Sequence, residues 1–253
     1  KLPVSAKING ELQAIAEHVL TAQDALDLVH DSMNEKQAHQ FDTEKECNFA
    51  ISVDGIGRFR ISAFWQRDMA GMVVRRIVTE IPDTDDLGLP SVLKDVVMSK
   101  RGLVLFVGGT GTGKSTSMAS LIGYRNRNSK GHILTIEDPV EYQIDGITQV
   151  PINTGEGASF AAGLRSVLRL DPDVIMVGEI RDDDTARTAL QSALTGHLVL
   201  STYHAGSTSA AMARVLDATQ GNPLFLSAIR FIQAQRLVRR LDDDSKVQYT
   251  PDQ

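Results

Sequence analysis

Apolar residues fall in two different patterns along this chain. In residues 57–64, Phe59, Ile61 and Ala63 alternate with Arg58, Arg60 and Ser62, the period of a half-buried strand. Asp54-Gly55 separates this run from residues 48–53, so the two read as a hairpin, and residues 72–78 read as a third strand. Residues 5–8, before an Asn9-Gly10 turn, form a further short strand, and residues 22–33 carry apolar positions at helical spacing. Together these predict a small α+β domain with an antiparallel sheet over residues 1–80. Beyond Ser91 the pattern changes to short, β-branched-rich runs at 103–107, 133–136, 174–177 and 198–202, separated by helix-compatible stretches. Strands alternating with helices predict a parallel sheet covered on both faces, over residues 91–253. The acidic segment 81–90, with Pro82 and Pro90 near its ends, reads as the linker.

Composition narrows the function classes. The 253 residues carry a formal net charge of −6, and the basic residues are scattered apart from Arg75-Arg76 and residues 236–240. No broad basic footprint is present, so no nucleic-acid partner is expected and a DNA translocase is disfavoured. Cys47 is the single cysteine, which rules out an intrachain disulfide and a Cys-x-x-Cys metal site and fits a reducing, cytoplasmic compartment. No run of about 18 apolar residues and no signal peptide occurs, so direct membrane insertion is not expected and any membrane association runs through a partner. The chain opens in strand-like sequence without methionine, which leads us to expect further residues before Lys1.

The candidate chemistry gathers behind the apolar runs. Gly108-Gly109-Thr110-Gly111-Thr112-Gly113-Lys114-Ser115 has the spacing G-x-x-x-x-G-K-[ST], follows a predicted strand, and precedes a helix beginning near Lys114 and continuing through 116–124. Glycines let such a loop turn tightly and aim backbone N–H groups at phosphate oxygens, at a helix N-terminus that favours anions. On this reading the loop through Thr116 binds ATP, Lys114 meets the β- and γ-phosphates, and Ser115 meets Mg²⁺. Carboxylates follow the next two strands. Glu179 is the candidate for the metal side and Glu137 for polarising the attacking water, while Asp138 and Glu141 cap or brace their loop. His197 and His204 flank the fourth strand with no cysteine or third histidine beside them, so they read as a γ-phosphate sensor or a braced subunit contact, not as metal ligands.

Four blocks, residues 108–115, 135–142, 171–182 and 195–204, occur in the order of the Walker A, Asp box, Walker B and His box of the type II/IV secretion ATPase superfamily and resemble them closely. Residues 57–64, 86–90 and 101–128 are especially similar to type IV pilus retraction motors of the PilT and PilU kind. The resemblance implies a RecA-like P-loop ATPase domain of the α/β class, joined to a smaller PAS-like α+β N-terminal domain, in a homo-hexameric ring. It implies that Glu137 is the catalytic glutamate, Glu179 the Walker B glutamate, and His197 and His204 the His box. It further implies that Arg60 and Arg75 serve as catalytic arginines donated to a neighbouring subunit, a role for which a fixed charge with forked donors is suited. The implied partners are an inner-membrane pilus platform protein and a second related motor ATPase. Tyr203 stands where the family usually has leucine, and the four-cysteine zinc module of assembly and secretion ATPases is absent, which favours the retraction type. Residues 160–173, 192–200 and 234–241 read more like the assembly and secretion branch, and the C-terminal Ala-Ile-Arg-Ala-Glu motif of retraction motors is not seen. The leading reading is therefore a motor that retracts a type IV pilus. The alternatives are a secretion or pilus assembly ATPase, and, from another class, a nucleotide-binding regulatory partner of another motor.

Overall fold

The computed structural model describes residues 3–8, 10–77, 80–239, 241, 244 and 246, which divide into two compact units, residues 1–79 and 80–253. Asn9 of the expected turn, Val78 of the expected third strand and Arg240 of the basic cluster lie outside the described residues.

The first unit opens with a two-stranded antiparallel hairpin, β1 (Ser5–Ile8) and β2 (Glu11–Ala14). Two helices follow, α1 (Ala22–Asp31) and α2 (Glu35–Glu44), each started by a capping box, Thr21 with Asp24 and Asn34 with Gln37. In each box the two side chains accept reciprocally from each other's backbone amides, satisfying two orphan donors at the helix start. An antiparallel sheet of β3 (Glu46–Val53), β4 (Gly57–Gln66) and β5 (Met69–Ile77) completes the unit in that order. The helix over 35–44 was not expected, because it buries only Phe41 and leaves no apolar periodicity to read. Phe41 is nevertheless the anchor of this core. It is fully buried, meets the His30 ring edge-on and the Trp65 ring stacked, both at 6.0 Å, and shares a cluster with Val29, Phe49 and Ile61.

The second unit is built on six parallel strands in the order β11-β6-β10-β9-β7-β8. These are β6 (Gly102–Val107), β7 (Ile133–Glu137), β8 (Thr148–Pro151), β9 (Val174–Ile180), β10 (Leu198–Tyr203) and β11 (Ile229–Ala234). The helices are α3 (Val92–Val97), α4 (Lys114–Asn128), α5 (Phe160–Val167), α6 (Asp183–Leu194) and α7 (Thr208–Ala218). Every residue of β6 is buried, and its side chains alternate between two cores. Leu103, Leu105 and Val107 pack with α5, α6 and α7, whereas Val104 and Phe106 pack with α3 and α4. Burial on both faces is why this strand reads as a continuous apolar run. The edge strands β8 and β11 were not expected. Gln149 interrupts the first, Arg230 and Gln233 the second, and neither is buried throughout.

The acidic segment 81–90, expected as a linker, is fastened into the second unit. The Ser120 hydroxyl donates to the Pro82 carbonyl at 2.8 Å, Arg127 pairs with Asp83 at 2.8 Å, and Lys94 pairs with Asp85 at 2.7 Å. Thr84 is almost fully buried and Leu89 packs on the core beside α3 and α4. Among the described residues no helix is long and apolar enough to cross a membrane.

Trp65 is the chain's single tryptophan and packs on Phe41, so its fluorescence reports on the first core. Phe41→Ala is expected to remove about 3–5 kcal/mol of stability from this unit, read as a lower denaturant midpoint by Trp65 emission. An unchanged midpoint would mean that Phe41 does not anchor the core.

Candidate nucleotide site

Because all six strands run in one direction, their carboxyl ends share one edge of the sheet, where ligands enter open α/β folds. The glycine loop leaves β6 at this edge. Gly108, Gly111 and Gly113 adopt φ of 156°, 75° and 84°, backbone that residues with a Cβ rarely adopt. Gly113 is also the N-cap of α4, and no side chain caps that helix. Among the described helices of eight residues or more, α1, α2, α5, α6 and α7 all have a side-chain cap, from Thr21, Asn34, Ser159, Asp182 and Ser207. Helix α4 also has no acidic residue in its first turn. Its first N–H groups and the positive end of its dipole are thus left to an anion.

Lys114 is buried at this helix start, with Nζ donating to the carbonyls of Gly108 at 3.0 Å and Gly109 at 2.7 Å. Burial holds its ammonium below the usual lysine range and the charge of Arg236 adds to this, while Glu179 opposes both. Ser115 is exposed, and Thr116 shares a hydrogen bond of 3.1 Å with the Tyr142 hydroxyl.

Glu137 is the last residue of β7 and is buried. Its Oε1 accepts from the Thr135 hydroxyl at 2.6 Å and from Gln149 Nε2 at 3.0 Å. Gln149 also donates to Tyr142 O at 2.8 Å and accepts from Ile144 N at 2.9 Å, so one edge-strand amide holds both this carboxylate and the loop after it. Asp138 takes no part in that network and instead accepts from the Thr154 amide and hydroxyl, the bracing expected of it.

Glu179 sits on a bulge. On β10 the register advances from Ser201 to Tyr203, while on β9 it advances from Val177 to Ile180, so Gly178 and Glu179 together oppose Thr202. An extra residue re-aims the strand locally, and the buried hydroxyls of Ser201 and Thr202 satisfy the carbonyls of Val177 at 2.8 Å and Gly178 at 2.9 Å. The Glu179 carboxylate meets Arg181 at 2.5 Å and His204 Nε2 at 3.7 Å. The pairing with Glu179 raises the already high pKa of Arg181 further.

The structure therefore brings the loop, Lys114, Glu137, Glu179 and His204 to one edge. It does not bring His197 there. His197 precedes β10, accepts from Gly102 N at 3.0 Å, and shares a 3.0 Å hydrogen bond between its Nδ1 and Ser192 O, at the amino-terminal end of the sheet. A strand has two ends, and flanking one in sequence leaves open which end a residue occupies. Tyr203, noted as a departure, is a core residue with the Arg214 guanidinium over its ring.

Arg60 and Arg75 belong to the first unit and are directly opposed across β4 and β5. Both are exposed, and among the described residues neither side chain makes an ion pair or a hydrogen bond. The sequence reading missed Gln149 and Gln235. Gln235 lies just past β11 and bonds to Thr112 and Ser117 on either side of Lys114. The loop spacing alone carries no signal for either glutamine.

The family model described as Type II/IV secretion system protein matches residues 49–253. The chain is 49% identical over 219 residues to the type IV pilus ATPase PilU of Pseudomonas aeruginosa, covering 85% of this chain and 57% of that protein. It is 40% identical over 220 residues to the type IV pilus retraction ATPase PilT of the same organism, covering 85% of this chain and 64% of the other. It thus spans less than two thirds of the length of either relative. The crystal structure of the pilus retraction motor PilT with bound ADP superimposes with a TM-score of 0.84 at 36% identity, covering 93% of this chain and 72% of that one. The α/β sheet with its smaller α+β N-terminal unit is thus the fold of that ATPase.

Proposed function

Because this chain belongs to the type II/IV secretion system protein family, we propose that it is a motor ATPase that hydrolyses ATP to drive type IV pilus retraction and twitching motility. It works as a homo-hexameric ring in the cytoplasm, peripheral to the inner membrane, and passes force to a platform protein there. Similarity to PilU, a type IV pilus ATPase, supports a second related motor as a further partner. Residues 1–80 act as the PAS-like domain and 91–253 as the RecA-like ATPase domain, with 81–90 joining them along the chain.

The observation that carries this reading is the helix start at Gly113. It lacks a side-chain cap and is the third of the loop's positive-φ glycines, with Lys114 buried beside it. Residues 108–116 would hold the phosphates, with Lys114 exchanging the Gly108 and Gly109 carbonyls for phosphate oxygens. Among the described residues no group of three or more His, Cys, Asp or Glu side chains could hold a metal by itself. That fits Mg²⁺, which takes one or two protein ligands beside phosphate oxygens and retained waters. Ser115 and Glu179 would hold it, directly or through water, and it would neutralise charge developing on the phosphates. Glu137, oriented by Thr135 and Gln149, would accept the proton of the attacking water. His204, 3.7 Å from Glu179, would sense the γ-phosphate. His197 serves as a subunit contact.

Arg60 and Arg75 complete the site of the next subunit in the ring. Like charges opposed across a sheet destabilise it, so folding alone gives no reason for the pair, whereas an anionic partner does. Delivering them from another unit makes hydrolysis depend on position, which converts turnover into motion. A secretion or assembly ATPase would use the same residues. A deletion strain separates these functions: piliated, non-retracting cells support retraction, bald cells assembly, and lost export secretion. Intact Glu137 and Glu179 argue against a purely regulatory nucleotide binder.

Lys114→Ala is expected to abolish ATP binding or hydrolysis by the purified ring. Glu137→Ala and Glu179→Gln are expected to keep ATP binding and lose at least about tenfold in turnover, roughly 1.4 kcal/mol of barrier. Glu179→Gln is the one expected to lose Mg²⁺ dependence. Near wild-type turnover in Lys114→Ala, or in both glutamate variants, refutes the assignment.

Mixed rings test the arginines. A Lys114→Ala subunit combined with an Arg60→Ala/Arg75→Ala subunit restores some interfaces that pair an intact loop with intact arginines. Turnover above either parent is expected, and no gain despite verified co-assembly would place the arginines in cis or in a structural role.

A further inference from the structure

Strand β11 pairs with β6 so that Ala234 lies opposite Val107, which sets residue 235 beside the start of the glycine loop. Gln235 N donates to Val107 O at 2.9 Å. Its side chain then reaches past the loop's other end. Nε2 donates to Thr112 O at 2.9 Å, and Oε1 accepts from the Ser117 hydroxyl on α4 at 3.0 Å. A Cβ built on Gly108 would lie 2.7 Å from Gln235 O, and one on Gly113 would lie 2.9 Å from Gln235 Nε2. Glycine at 108 is therefore required by the Gln235 backbone as well as by its own φ, whereas at 113 a Cβ would displace the Gln235 amide from Thr112.

The geometry points to Gln235 as a positioning residue for the phosphate loop, an inference that rests on the nucleotide-binding reading above. In a trans peptide the C=O and N–H of one unit point in opposite directions. Tying Thr112 O to Gln235 turns the Gly113 N–H, the donor at the start of α4, to the side away from Gln235. Ser117, bonded to the other end of the same amide, fixes the first turn of α4 relative to that peptide. The planar amide supplies a donor to the carbonyl and an acceptor to the hydroxyl at once. Glutamate would set a second acceptor against Thr112 O, and methionine would satisfy neither partner. Gln235 touches no reacting atom. It preorganises donors that meet phosphate equally in the ground state and the transition state, so its loss weakens nucleotide binding more than it slows the bound complex.

The test uses the full chain, titrated with ADP and assayed with ATP. Gln235→Met and Gln235→Glu are expected to raise the ADP Kd and the ATP KM about tenfold, the scale of one or two lost hydrogen bonds. At saturating ATP, kcat is expected to stay within about threefold of wild type. Ser117→Ala is expected to raise both constants less, and to add nothing in the Gln235→Met background, since the two side chains share one bond. Wild-type affinity in folded Gln235→Met, or a fall in kcat with KM unchanged, overturns the positioning role. Should Gln235→Met fail to fold, Gln235→Glu and Ser117→Ala decide on the same readings. A wild-type chain that binds neither nucleotide overturns the functional reading and this inference with it.

Discussion

Parallel pairing of β10 with β6, residue for residue from Leu198 on Gly102 to Tyr203 on Val107, is the constraint on which the rest of the second unit depends. A shift of one residue would turn every β6 side chain to the other face and exchange the Leu103-Leu105-Val107 core for the Val104-Phe106 core. The two cores are lined by different helices, so the register is specified from both sides at once. With direction and register fixed, the ends of β7, β9, β10 and β11 align with the end of β6. Glu137, Glu179, His204 and Gln235 thereby meet the glycine loop at one edge.

Polar groups at that edge are paired among themselves, which makes it a shaped surface and not merely a collection of charges. Lys114 rests on two carbonyls, Glu137 on a threonine and a glutamine, and Glu179 on Arg181 and His204. Each partner limits the rotamers open to the group it holds, and ordering these side chains in advance lowers what a ligand must immobilise. The backbone at the start of α4 is the exception, with no side chain supplying its cap. Phosphate oxygens are chemically suited to those donors, and the fixed positive charges of Lys114, Arg181 and Arg236 are of the sign that favours them.

The first unit has a different logic. Its sheet covers one face with Phe41, Val29 and their neighbours, and the other face carries Arg58, Arg60 and Arg75 on adjacent strands. Arginine can lie along such a face while its guanidinium group stays hydrated. An anion arriving there would meet rigidly spaced donors on strands, not on a loop.

The sequence was most informative where structure is set locally. The runs of β6, β7, β9 and β10 were legible because a strand buried on both faces takes mostly apolar residues, with buried hydroxyls such as Thr135, Ser201 and Thr202 as exceptions. The loop was legible because positive φ demands glycine at Gly108, Gly111 and Gly113. Glu137 and Glu179 could be nominated because a carboxylate closing a buried strand is itself a local anomaly. The parts that stayed illegible depend on contacts distant in sequence. Gln149 on a half-exposed strand and Gln235 just past one look like ordinary polar residues until the sheet sets them beside Glu137 and the loop. The acidic residues of 81–90 look like a linker until Arg127 and Lys94 meet them. His197 and His204 bracket one strand in sequence, yet strand direction sends one to each end of the sheet and only His204 to the site. Thus the sequence by itself determined the buried strands and the glycine loop and nominated the carboxylates beside them, through backbone and burial rules that operate over a few neighbours. Only the tertiary structure decided which of them meet, because direction, register and edge pairing are properties of the whole sheet.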